Sequence, residues 1–307
     1  MEQIHKSPKK GFIAAIAAQL TWGMLVFYWK SIESISAYEI LAMRVIMSVV
    51  TAVIILSFKS ALKDSLIAMK DKKFAGMILI AGLIIVSNWG MFIYAVNNGF
   101  ILESALGYFI SPILTVLCGV IFFKEKPDKY IIVSVIFVSL AVIYMTISYG
   151  RPPFIALYLA ITFSGYLTVK KKINAEPVAG LFLESLVVTP FALIFVIFLM
   201  VTGASSILTA TIPINLLLLL SGAVTMTPLM FVMIAQKHIS MLIYGILSYI
   251  APTMQMLIGV FVYSEEFTMI EAVSLVAVIC AISYFTFGQY KKSQILASTN
   301  ISKPSLS

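Results

Sequence analysis

SALGYFISPILTVLCGVIFFKE (residues 104–125) and YGILSYIAPTMQMLIGVFVYSE (residues 244–265) superpose without a gap at a constant offset of 140. Ile110, Pro112, Gly119 and Glu125 of the first stretch fall on Ile250, Pro252, Gly259 and Glu265 of the second. Downstream, Ser134, Val138, Ala141 and Tyr144 fall on Ser274, Val278, Ala281 and Tyr284; upstream, Gly82 falls on Gly222 and Leu41 on Leu181. With the offset changed to 142, Gly23 meets Gly165 and Lys30 meets Lys172. The chain is therefore one unit written twice.

Composition sets the medium in which this unit folds. Of 307 residues, 61% are hydrophobic and 11% charged, with a mean hydropathy of +1.04. A soluble domain carries about a quarter of its residues charged, so this chain reads as a membrane protein. Apolar runs of about 20 residues suffice to cross a bilayer core of about 30 Å. Ten such runs occur, near 11–29, 38–58, 74–96, 103–123, 130–148, 154–169, 179–201, 213–235, 241–263 and 268–288. The first follows Lys6, Lys9 and Lys10 as a signal peptide would. It is longer than a usual signal core and has a counterpart at 154–169, which predicts a retained span.

Basic residues orient the spans. Eighteen of the 21 lie in the tails and in loops that alternate to one side, including Lys170, Lys171 and Lys172 after the sixth run. Lys30 and Arg151 lie opposite, and Arg44 lies within a span. The positive-inside rule then places both termini in the cytoplasm of a bacterial cell membrane. The net charge of +8 is accounted for by this bias, with some attraction to anionic lipid, and calls for no nucleic acid. The expected layout is a cytoplasmic tail 1–10, a five-helix unit 11–148, an external linker 149–153, a second five-helix unit 154–290 and a cytoplasmic tail 291–307. Five is odd, so the second unit enters the membrane inverted. Inverted duplication marks many secondary transporters, in which two near-equal packings exchange the open face.

Arg44 and Glu184 are the ionisable residues deepest in the spans, and they stand 140 apart. A charge within the bilayer costs from about 2.5 kcal/mol upward and usually faces the bundle interior. Such residues bind a charged or zwitterionic solute, gate the two ends, or, at Glu184, carry a proton; the alternative is snorkelling or local pairing. Arg44 cannot carry a proton, because guanidinium stays charged. Ser36-Ala37-Tyr38-Glu39 reads as a capping box. Glu103, with Asn97 and Asn98, forms a polar cluster at the outer end of the fourth span, and Asn88 in the third needs a partner when buried. Ser104, Tyr108, Ser111, Thr115 and Gly119 line one helical face, matched by Tyr244, Ser248, Ala251, Gln255 and Gly259. Close helix packing explains small residues; Tyr108 and Gln255 beside the hinge prolines Pro112 and Pro252 favour a cavity wall. Gln19, Trp22 and Tyr166 are further wall candidates.

Other chemistry is missing. The chain has no Walker-type loop for ATP and no Ser–His–Asp set. His5 and His238 form no metal cluster, and Cys118 and Cys280 read as small apolar residues. No cofactor and no enzyme activity are expected.

Asn88-Trp89, Phe92-Ile93, Ala95-Val96-Asn97-Asn98, Glu103-Ser104 and Leu106-Gly107-Tyr108-Phe109-Ile110 with Pro112 resemble the RarD permeases, in the EamA-type branch of the drug/metabolite transporter superfamily. So do Trp22-Gly23, Glu39-Ile40-Leu41 with Arg44-Val45, Gly165-Tyr166, Lys170-Lys171-Lys172-Ile173, and Tyr249-Ile250 with Pro252-Thr253. The resemblance covers about 11–290 and implies solute permeation, in the direction of export, with chloramphenicol-like drugs as incidental cargo. The expectation is an all-α transporter of ten helices, moving a small polar or amphipathic metabolite such as an amino acid, with protons as candidate coupling ions. A phosphorylated cargo would need clustered Lys and Arg at depth. The rival is a non-transporting membrane sensor or assembly partner, which a tightly sealed bundle without polar lining would favour.

Overall fold

The computed structural model describes residues 7–97, 101–148, 154–173, 175–264 and 269–301. Glu265, Asn98, Arg151 and the linker 149–153 lie outside the described residues, as do the side chains of Asn97, Glu103, Ser104 and Ser274. Among the described residues there is no strand. The elements are α1 Pro8–Ser31, α2 Ala37–Phe58, α3 Leu62–Ala68, α4 Lys72–Asn97, α5 Ile101–Phe123, α6 Lys129–Ser148, α7 Phe154–Ile173, α8 Pro177–Val201, α9 Ile212–His238, α10 Met241–Leu247, α11 Ile250–Tyr263 and α12 Met269–Ile301. Over their described residues, all the apolar runs of the sequence are almost wholly helical. Seven spans of helix are long and apolar enough to cross a membrane, counting α10 and α11 together; Gly107–Phe123 and Leu275–Lys291 are shorter apolar helices. Apolar side chains such as Ile54, Leu140, Phe191, Ile194 and Phe261 face outward, while Gln19, Glu39, Asn88, Lys170 and Glu184 are buried. That is the reverse of a water-soluble core and suits a protein whose solvent is lipid.

Helices of the first half of the chain pair with helices of the second half. α2 packs on α8 and α9, α1 on α9 and α11, α4 on α7 and α8, α5 on α7 and α10, and α6 on α12. α2 and α8 run antiparallel. Lys59, just past the end of α2, bonds Glu176 at the start of α8 (3.4 Å). At the other end Glu39 accepts hydrogen bonds from Ser205 Oγ, Ser206 Oγ and Ser206 N beyond α8. Between these ties Ala42 and Val45 pack on Val188, Ala192 and Val196. The capping box expected at Ser36 is not formed. Ser36 makes no side-chain cap bond, because the Glu39 carboxylate is drawn to the three donors at Ser205 and Ser206.

The Gly119–Glu125 spacing has a structural cause. Lys124 and Ser264, 140 apart, both take a left-handed turn with φ 54°, and the chain folds back so that Glu125 N and Ser264 N donate to the carbonyls of Gly119 and Gly259. The Glu125 carboxylate then accepts from Met241 N and Leu242 N at the start of α10 (both 3.0 Å) and from Lys171 Nζ (2.9 Å). A Cβ on Gly119 would stand 2.7 Å from Glu125 Oε2, so glycine there makes room for the cap. Glu125→Ala takes the acceptor from two backbone N–H groups and leaves Lys171, 5% exposed, without its carboxylate, holding the Ile239 carbonyl at 3.5 Å. The expected cost is about 3 kcal/mol, read as a lowered thermal midpoint of detergent-purified protein. An unshifted midpoint would mean that this cap is dispensable.

Candidate functional site

Two charged groups, Glu184 buried and Arg44 partly buried, stand near opposite ends of the antiparallel α2–α8 pair. Glu184 lies two turns into α8, where the carboxylate pairs with Lys170 Nζ and accepts from Tyr166 Oη (3.1 Å). Tyr166 and Lys170 are one turn apart on α7, so both reach the same partner. Lys170 is not the loop residue that the charge count implied. α7 runs on to Ile173, and the Lys170 side chain is 1% exposed, because the Glu184 carboxylate within the bundle satisfies its ammonium.

Arg44 lies two turns into α2. Its guanidinium is flanked by the rings of Trp29 (4.7 Å) and Trp89 (4.5 Å), and its Nε donates to Thr225 Oγ1 (3.0 Å). Among the described residues no carboxylate lies within ion-pair distance of it. Trp29 and Thr225 escaped the sequence reading. Thr225 lies one turn beyond Gly222 on α9, and Gly222 was the available signal for the close α2–α9 approach. A narrow cleft beside Glu184 reaches Trp89, one of the two rings that flank Arg44. Val45, Val86, Trp89, Tyr166, Glu184 and Val188 line it.

The remaining polar candidates are engaged with one another. Gln19 Nε2 donates to Tyr244 Oη (3.1 Å) and Gln255 Nε2 to the Trp22 carbonyl (3.0 Å). The Trp22 ring meets Phe163 edge-on at 5.9 Å. Asn88 Nδ2 donates to the Leu159 carbonyl (2.9 Å) and Thr162 Oγ1 (2.8 Å), tying α4 to α7. Ser111 and Thr115 meet Ser164 across the α5–α7 seam. Tyr108 is partly exposed and stacks edge-on to Phe92. Among its described side chains the expected polar stripe is thus closed on its neighbours in this conformation, apart from Tyr108. The two prolines expected as hinges differ. α5 continues through Pro112, whereas α10 and α11 part at Ser248–Tyr249, one turn before Pro252. Pro252 has no N–H for the Ser248 carbonyl; the chain tightens there, with Tyr249 N on the Ile246 carbonyl and Ser248 Oγ on the Gly245 carbonyl.

A bundle with apolar exterior, paired copies and charges inside has close relatives. Residues 9–147 match the EamA-like transporter family. RarD of Escherichia coli strain K12 is 34% identical over 85% of this chain and 88% of its own length. The chain belongs to the RarD-like, EamA-type permeases. An uncharacterized transporter of Bacillus subtilis, YojE, is 38% identical over 94% of this chain and 97% of its own. An uncharacterized transporter of Vibrio cholerae is 32% identical over 92% and 93%. One crystal structure shares the fold with a TM-score of 0.67 at 15% identity, over 92% of this chain and 98% of that one. This RarD-like permease is thus a multi-pass membrane transporter of the drug/metabolite superfamily.

Proposed function

We propose that the protein is a ten-helix exporter of small polar or amphipathic metabolites, working by alternating access between two inverted five-helix units. The observation that carries this reading is the antiparallel α2–α8 pair with Arg44 and Glu184 at matching places in it. Equivalent helices crossing antiparallel is what inversion requires, and Lys124 and Ser264 repeat the same turn. The basic loops support cytoplasmic termini, which puts Glu184 in the inner half and Arg44 in the outer half. Polar side chains meeting across helix seams speak against the sealed apolar bundle of a sensor. They offer hydrogen-bonding surface when the seams part.

Uptake into proteoliposomes over a panel of amino acids, other metabolites and chloramphenicol, with and without a pH gradient, tests the reading. Saturable, gradient-driven flux of one class supports it; no flux of any solute favours the sensor. In this scheme Glu184 carries the coupling proton. Glu184→Gln is then expected to remove the dependence on the gradient while solute binding persists. Gradient dependence unchanged in that variant rejects Glu184 as the carrier.

A further inference from the structure

Arg44 and Glu184 occupy matching places, yet among the described residues only Glu184 has a counter-ion, Lys170. Trp29 and Trp89 flank the Arg44 guanidinium and its Nε is taken by Thr225. Among the described residues its two Nη groups meet no acceptor. They are not sealed either, for the buried polar atoms without partners are Asn215 Oδ1, Ser221 Oγ, His238 Nδ1 and Thr253 Oγ1. A cation at membrane depth with no counter-charge is costly, and the described part of the chain supplies none.

We propose that Arg44 receives the carboxylate of a monoanionic cargo, held by its two Nη groups between Trp29 and Trp89. The proposal rests on the transport reading above and names the cargo class. Indole rings beside the guanidinium leave its in-plane edge for an acceptor. Two parallel N–H groups in that plane match the two oxygens of a carboxylate, a fit that lysine cannot reproduce. Among the described residues no Lys or second Arg joins Arg44, so the site balances one negative charge; a phosphate dianion would leave an excess. Trp29 and Trp89 give the apolar body of the cargo ring surfaces to lie against.

Trp29 and Trp89 are two of the three tryptophans in the chain, so binding is readable by intrinsic fluorescence. The full-length protein in detergent is titrated with 3-phenylpropionate and hexanoate, each against its neutral amide. At least one acid is expected to give a saturable change about tenfold tighter than its amide. Arg44→Lys is expected to weaken it about tenfold, and Arg44→Gln to abolish it. Elution as a single species checks folding, and Arg44→Lys, which keeps the charge, decides the matter where Arg44→Gln does not fold. Acid and amide binding alike, no change with either acid, or wild-type affinity in Arg44→Lys overturns the proposal and leaves Arg44 as a gate. Proteoliposome flux separates the two readings. A cargo still carried by Arg44→Gln sinks the carboxylate site and leaves transport standing, while acid binding without flux of any solute sinks transport alone.

Discussion

Gly222→Leu is expected to leave no monodisperse protein, and Gly222→Ala to lose most of it. A Cβ at Gly222 would stand 2.0 Å from the Met47 carbonyl carbon, 2.1 Å from its oxygen and 2.4 Å from Ser48 N. These are backbone atoms of α2, which cannot rotate away as a side chain would. The only relief is to move α9 off α2, and that displaces Thr225, one turn further along α9, from Arg44 Nε. Overpacking a core typically costs about 1–3 kcal/mol, and the rigid contact puts Gly222→Ala at the upper end. Gly76 is the control. A Cβ there meets nothing within 4 Å, so Gly76→Ala is expected to be neutral or to gain up to about 1 kcal/mol of helix propensity. Elution profiles and thermal midpoints of the three variants in detergent decide it. A wild-type midpoint for Gly222→Ala would mean that α2 and α9 are not held this close.

Gly222 also marks how far the sequence could be read. It falls on Gly82 at the repeat offset, and a Cβ at either glycine would meet backbone at close range, at Gly82 the Glu184 carbonyl oxygen at 3.0 Å. Apolar periodicity and repeat offsets report helices and their equivalence, because those are properties of one segment at a time. Partners across helices are not. Asn88 was recognisable as needing a hydrogen bond, but nothing local named Leu159 or Thr162. The run Lys170-Lys171-Lys172 looked like one solvated loop, whereas α7 sends Lys170 to Glu184, Lys171 to Glu125 and Lys172 to the ring of Phe122. The helical spacing of Tyr166 and Lys170 was the sign that was available. Ser36 misled in the same way, since a capping box is a local pattern and Ser205 and Ser206 are distant competitors for Glu39.

Lys170→Met and Glu184→Leu are each expected to destabilise the protein by about 3–5 kcal/mol, and the two together by clearly less than the two changes summed. Each single change strands a buried group. Lys170→Met leaves Glu184 with the Tyr166 hydroxyl alone, and Glu184→Leu leaves the ammonium with no carboxylate and the Tyr166 ring 5.8 Å away. Replacing both by apolar side chains of similar volume removes the stranded charge altogether, which is often neutral. A double-mutant cycle on thermal midpoints isolates the coupling. Strict additivity would mean that the two groups do not act as a pair. The same double variant bears on transport. Lys170 and Glu184 tie the end of α7 to α8 across a short connection, so parting those helices must break the ion pair, and an apolar pair removes that electrostatic latch. The double variant is therefore expected to fold and still move solute, with flux that no longer follows the pH gradient, as in Glu184→Gln. Gradient-driven flux in a folded double variant would place the coupling elsewhere in the bundle.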